Sequence, residues 1–287
     1  MTRALVLAGG SFAASAWESG LLAGMASVGA DLRDADLFIG TSAGARVALH
    51  LAAGTDLEAL YGQQFQPLLN LPPPPRVDFP AIYRACAEAK AAGGAPEEIL
   101  KRMGAIALKY ASLSPADLEA RRVTMAAQIP VQTWPAGPLS IVALDAETGK
   151  RRVLDRASGA SLIDAMIATT ASFGWPPAPI DGHHHIDGGY HSGNNADLAS
   201  AFDEVIVLSL RAPPGALALI PLSETVAALK TSGVQVTLIQ PDEASQDAAT
   251  SGSPGNPALR APTAKAAYEQ GKRVGQELPL RRSGSGR

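Results

Sequence analysis

An α/β fold, a sheet with helices on both of its faces, is what this chain predicts, on three observations. Short apolar runs of strand type recur at residues 3–8, 36–39, 139–144, 205–210 and 234–239. Stretches whose apolar residues repeat at helical spacing separate them. Glycine turns follow the first two runs, the join expected between a strand and the helix that crosses back over the sheet.

The bulk numbers set limits. The 287 residues are 46% hydrophobic and 18% charged, ordinary for a globular chain with a sizeable core and enough for one large domain or two small ones. A net charge of −3 without a basic stripe gives nucleic acid no footprint. The single cysteine, Cys86, excludes an internal disulfide framework and a cysteine-based zinc site and reads as a small buried hydrophobe. No run is long enough to span a bilayer, and the first ten residues have too short an apolar core for a signal peptide. The expectation is a soluble cytoplasmic protein, with peripheral membrane contact left open and oligomeric state unread.

Residues 3–8 are the first strand. Gly9-Gly10-Ser11 follows, then a helix over about 15–28 with Trp17, Leu21, Leu22 and Met25 at helical spacing. Gly9-x-Ser11-x-x-Ala14 is a degraded G-x-G-x-x-G, and the acidic residue that would end the second strand is absent, which argues against a dinucleotide. A glycine turn at a strand's C-terminal end can instead offer backbone N–H groups to a neighbouring oxyanion.

The second strand runs into Gly40-Thr41-Ser42-Ala43-Gly44, a G-x-S-x-G, and a helical pattern follows through Val47, Leu49 and Leu51. A serine at a sharp strand-to-helix turn is pushed out of the sheet, and small residues two places either side let the turn close. The helix then aims its free N–H groups and positive dipole end at the serine oxygen. Such pentapeptides arise by chance in a chain with 28 glycines; the strand before and the helix after are what single this one out.

Residues 56–64 read as a short helix. A Leu-Pro-Pro-Pro-Pro run over 71–75 breaks the pattern, and helices follow over 79–92, 96–111 and 115–127, the second opened by Pro96-Glu97-Glu98. With no convincing strand between 67 and 138, this stretch is either a helical cap over the active face or a set of ordinary packing helices. Residues 139–144 are a strand, 150–154 its hairpin partner with Gly149 in the turn, and 160–170 an Ala-rich helix. After the strand over 205–210 come a helix over 223–230, the strand over 234–239, a Ser/Gly/Pro-rich loop over 246–257, a last helix over 261–277 and a disordered tail over 279–287. A single domain over 1–278 is expected.

His183, His184 and His185 invite a metal reading. Consecutive residues of a strand face opposite ways, so a polar loop leading to Asp187 is preferred and no metal is expected. His50 reads as packed or solvent-facing, and His191 has no assigned role. A Ser42–Asp145–His triad drawing on one of the three histidines fits the α/β-hydrolase chain order, although Ser42 follows only the second strand.

Taken in order, Gly9-Gly10, Gly40-Thr-Ser-Ala-Gly44 and Asp187-Gly188-Gly189 resemble the patatin-like phospholipase family over nearly the whole chain. Trp17-Glu-Ser-Gly20, Phe173-Gly-Trp-Pro-Pro177 and Asn195-Ala-Asp197-Leu are supporting matches. The resemblance implies a three-layer α/β/α sandwich with a mainly parallel sheet. It implies hydrolysis of lipid acyl esters by a Ser–Asp dyad, with Ser42 as nucleophile and Asp187 as the base taking its proton directly, and no metal or organic cofactor. Gly10, Ser11 and Ala43 are the expected oxyanion donors, and Thr41 with the cap helices is expected to shape the acyl pocket. The chain departs from the family where Ser11 replaces a glycine and Ala14 with Ser15 replaces the usual cation and glycine. A Cβ strains any residue that needs positive φ, so a weakly active or non-catalytic lipid binder is the competing reading. No role is assigned to Arg46.

Overall fold

β1 (Arg3–Leu7) is buried at all five positions, the pattern of a strand with a neighbour on each edge and a layer on each face. The structure, a computed structural model, describes residues 1–68, 73–211 and 217–278. Beside β1 lie β2 (Leu37–Thr41) and β7 (Glu204–Leu208), both parallel to it. β3 (Leu139–Asp145) and β8 (Gln235–Ile239) extend the parallel sheet outwards. β4 (Arg151–Leu154), β5 (Ala178–Ile180) and β6 (His183–Asp187) join antiparallel. The order is β5-β6-β3-β2-β1-β7-β8, with β4 paired to β3.

The helices are α1 (Ser11–Ser27), α2 (Ala43–Ala52), α3 (Leu57–Gly62), α4 (Phe79–Ala91), α5 (Pro96–Tyr110), α6 (Pro115–Gln128), α7 (Leu162–Thr169), α8 (Leu222–Thr231), α9 (Glu243–Thr250) and α10 (Arg260–Glu277). Asp56, Asp78, Ser114, Ser161 and Asp242 start five of them, each side chain accepting from the N–H three residues on. Alternation along β1 builds the layers. Leu5 and Leu7 join the core formed with α1 and α2, while Ala4 and Val6 join Ala196, Ala199 and Leu229 of α8 on the other face. The result is a three-layer α/β/α sandwich with a mostly parallel sheet, as expected.

α10 lies so close to α1 that their backbones touch. A Cβ on Gly20 would fall 2.2 Å from the Ala264 carbonyl oxygen, and one on Gly24 2.1 Å from that of Tyr268. Trp17 Nε1 donates to Gln270 Oε1 at 2.9 Å across the same seam.

Three expectations need correction. α1 begins at Ser11, not near 15: Gly10 at φ 152 and Ser11 at φ 60 turn the chain directly into its first helical turn. His183–His185 are not a loop but the start of β6, held by ladders to β5 and β3 that require no apolar alternation. The expected loop over 246–257 is helical through Thr250, because the Asp242 cap starts α9 upstream. The start of the proline run, 71–72, and the tail over 279–287 lie outside the described residues.

Between 67 and 138 no strand occurs among the described residues. α4 and α5 bury Ile82, Cys86, Leu100 and Met103 against Leu144, Ile186 and Tyr190. α4 also brings Phe79 and Tyr83 against the Phe173 ring, and α6 packs on α7. The stretch is thus a packing layer that also reaches the segments flanking Asp187.

Candidate active site

Ser42 stands between β2 and α2 at φ 54, ψ −118, a conformation that costs on the order of 1–3 kcal/mol for a residue with a Cβ. Its neighbours permit it. A Cβ on Gly40 would sit 2.4 Å from Ala45 Cα, and one on Gly44 2.2 Å from the Leu7 carbonyl oxygen. Glycine at both places lets α2 fold back hard against the ends of β1 and β2. The turn is pinned from the side: Ser42 N–H donates to Thr169 Oγ1 at 2.8 Å, and that hydroxyl donates to the Val142 carbonyl at 2.6 Å.

β3 brings Asp187 to this turn. Thr41 pairs with Val142, and Asp187 pairs with the next residue, Ala143, while β4 takes the opposite edge. β6 therefore arrives on the edge of β3 just where β2 leaves it. The Asp187 carboxylate accepts from Gly189 N–H at 2.8 Å, and the side chains of Ser42 and Ser172 lie beside it. Burial pushes the Asp187 carboxyl up to about 6, against the opposing pull of Ser42, the Gly189 N–H and Ser172. A Cβ on Gly188 would lie 2.6 Å from the Val142 carbonyl oxygen, so the turn after Asp187 hugs β3.

Asn195 joins the two halves, a part that its motif in the sequence did not reveal. It is fully buried at φ 52. Its amide donates to Thr41 Oγ1 at 3.0 Å and to the Ser192 carbonyl at 2.7 Å. Its oxygen meets His191 Nδ1 at 3.1 Å and Arg151 Nη1 at 3.3 Å, and Arg151 closes a two-bonded pair with Asp197. Thr41 is consequently fully buried behind the serine, and the expectation that it shapes an acyl pocket is corrected.

The glycine turn lies alongside. Gly9 N–H donates to the Gly193 carbonyl at 2.8 Å, and a Cβ on Gly9 would come within 3.1 Å of Ser42 Cβ. Among the described residues the N–H groups of Gly10, Ser11 and Ala43 donate to no protein acceptor, whereas Ala13 and Ala14 spend theirs on the carbonyls of Pro254 and Gly10. Ser11 carries its Cβ at positive φ, the strain foreseen when a glycine is replaced there.

The histidines stand elsewhere. His183 Nδ1 meets Asp145 Oδ2 and His184 Nδ1 meets Glu147 Oε1, both at 2.7 Å. His183, the partner of Asp145, is four residues down β6 from Asp187, about 13 Å at ~3.3 Å per residue. His185 Nδ1 meets the His183 carbonyl at 3.2 Å, and among the described residues none of the three histidines that the triad reading draws on hydrogen-bonds Ser42. Asp145, Glu147 and His183 place ligand atoms within 4.8 Å of one another, and Asp145 Oδ1 already accepts from the N–H groups of Glu147 and Thr148. His50 is buried against Thr55 Oγ1, pushed down to about 4 by burial and by Arg46. Cys86 is a buried thiol pushed up to about 11. Among the described residues no helix is long and apolar enough to cross a membrane.

A family model described as patatin-like phospholipase matches residues 5–200. Among solved structures, the chain is similar to the type III effector protein ExoU, at 13% identity over 96% of this chain and 53% of that one, with a TM-score of 0.42. It is likewise similar to the complex of full-length SpcU with full-length ExoU from the type III secretion system of Pseudomonas aeruginosa, at 14% identity, 97% and 53% coverage and a TM-score of 0.39. The chain spans about half the length of these structures. No curated protein matches it. With more than half of its residues under that family model, and with the elbow serine and the D-G-G aspartate in contact, the chain belongs to the patatin-like phospholipase family.

Proposed function

We propose that the protein is a serine-dependent lipid acyl hydrolase of the phospholipase A or esterase type, working through Ser42 and Asp187. The observation that carries this reading is a serine on a strained elbow set beside a buried carboxylate raised to about 6. A carboxylate so raised is still mostly ionised at neutral pH, and it is a better base there than an ordinary aspartate.

Ser42 Oγ attacks the ester carbonyl carbon as Asp187 takes its proton. The tetrahedral intermediate collapses, the carbon–oxygen bond to the alcohol breaks, and Asp187 returns the proton to the leaving alcohol. Water then repeats the sequence on the acyl-enzyme and releases the carboxylic acid. The unengaged N–H groups of Gly10, Ser11 and Ala43 support an oxyanion hole, at the end of α2 where the dipole is positive.

One observation favours a second reading, a lipid binder with little or no turnover: Ser11 at φ 60 bears a Cβ where the family has glycine. A fluorophosphonate probe separates the two. Labelling of the parent that is lost in Ser42→Ala and reduced at least ~10²-fold in Asp187→Asn upholds the hydrolase. A folded parent that takes no label, yet binds vesicles as Ser42→Ala does, upholds the binder.

A further inference from the structure

We infer that the substrate carries an anionic group, a phosphate or a carboxylate, beside its scissile ester, and that Arg46 and Arg121 receive it; this rests on Ser42 being the nucleophile. Arg46 is four residues past Ser42, on the same face of α2, and long helical side chains lean towards the N-terminal end, here the end that bears Ser42. Its Nη1 donates to Gln128 Oε1 at 3.0 Å, a neutral group.

Arg121 approaches from α6. It is only 8% exposed, its guanidinium stacks 4.2 Å from the Trp175 ring centre, and Nη2 donates to Thr170 Oγ1 at 3.1 Å. Its Nε is buried without a hydrogen-bond partner. Both of its supports run directly from the dyad. Thr170 adjoins Thr169, which holds the Ser42 N–H, and Trp175 is three residues past Ser172, whose side chain lies beside Asp187.

Among the described residues neither arginine has a carboxylate partner, although Arg3, Arg33, Arg122, Arg151, Arg152 and Arg273 each have one. Arg122, next to Arg121 and more exposed, takes Asp164. Of the three most buried arginines, Arg3 is ion-paired and Arg260 spends Nε and both terminal nitrogens on Gln64 and the carbonyls of Gln63 and Gln66, whereas Arg121 has neither a carboxylate nor a partner for its Nε. Burial pushes Arg46 down to about 10 and, with the Arg46 charge, Arg121 to about 9, so both remain cations at neutral pH. Two cations drawn out of water are poorly accommodated until an anion joins them. A guanidinium fork matches the oxygens of a phosphate or carboxylate, and Arg121 Nε offers a donor with nothing else to bind.

Two substrate pairs test this and locate the anion. On the acyl side, 4-nitrophenyl pentanoate is compared with the mono-4-nitrophenyl ester of glutarate. On the alcohol side, a monoacylglycerol is compared with the lysophosphatidate of the same chain. In the parent the anionic member of one pair should be favoured at least tenfold in kcat/KM, and the ratio should collapse towards one in Arg121→Met. Arg121→Met should also melt at a higher temperature than the parent, since it removes an unpaired buried charge. Equal rates within both pairs, or a preference that survives in both Arg121→Met and Arg46→Met, overturns the proposal. If Arg121→Met does not fold, Arg46→Met read on the same pairs decides it. If the parent cleaves no ester, the hydrolase reading has failed separately. Dodecyl phosphate binding by calorimetry then decides the anion site: binding weakened at least tenfold in the arginine variant upholds it, and equal binding overturns it.

Discussion

Asp187 is where burial and chemistry meet. Its carboxyl is raised from an ordinary 3.8 to about 6 by loss of water, and as a base it acts only when ionised. kcat/KM should therefore be level above about pH 6 and fall about tenfold per pH unit below it; a profile flat down to pH 4.5 would count against Asp187 as the base. The linkage to stability has the opposite sense. The fold holds this proton more tightly than the unfolded chain does, so stability is lost as pH rises from about 4 to about 6. At ~1.4 kcal/mol per pH unit the ionised group costs about 3 kcal/mol at neutral pH. Asp187→Asn keeps an acceptor for Gly189 N–H and removes the buried charge, so it should be inactive yet melt higher than the parent at pH 7. Asn195→Ala should do the reverse. It strands Thr41 Oγ1 and the Ser192 carbonyl and places an alanine at φ 52, a loss of about 2–3 kcal/mol in urea unfolding.

At the scale of elements, the close approaches carry the architecture. The α1–α10 seam has no room for a side chain at Gly24, so Gly24→Val should force the helices apart. Limited proteolysis reads this: the parent should resist cleavage within α10, and the variant should be cut there first. Unchanged resistance would mean that the seam adapts. How much of this was legible depends on what each element needs from its residues. β1, β2, β3 and β7 are recognisable as apolar runs because they are buried on both faces. β6 hides because the ladder to β5 accepts any side chain, including three histidines. α9 hides because its signal is one upstream aspartate cap in a stretch of small polar residues. The elbow was readable as local backbone geometry, whereas Asp187 stood out only through the resemblance carried by the motifs in order, since a D-G-G alone reads as a plain turn. Arg121 was not readable, because its place beside Arg46 depends on α6 packing on α7 across a long gap in sequence. Thr41 was misread for a related reason: its partner, Asn195, lies 154 residues away.

For the molecule as a whole, the family match ends at residue 200, but the sheet does not. β7 fills the second edge of β1, β8 follows it, and α10 covers α1, with Trp17 bonded to Gln270 across the seam. Residues 1–200 alone would leave the edge of β1 open and the glycine face of α1 bare. That piece should be insoluble or lack a cooperative transition, while 1–278 should unfold as one domain. The helical stretch over 67–138 belongs to the same unit on this argument, because α4 and α5 share a core with β3 and with the turn after Asp187. Two tryptophans make the test internal to the protein. Trp17 reports the α1–α10 seam, and Trp134, bonded to the Ala160 carbonyl, reports the end of the helical stretch. In variants that keep Trp17 or Trp134 as the sole tryptophan, Trp175 replaced in both, urea transitions followed by fluorescence should coincide with each other and with circular dichroism. A Trp134 transition that clearly precedes the Trp17 transition would mean that the helical stretch folds as a separate unit on a smaller α/β core.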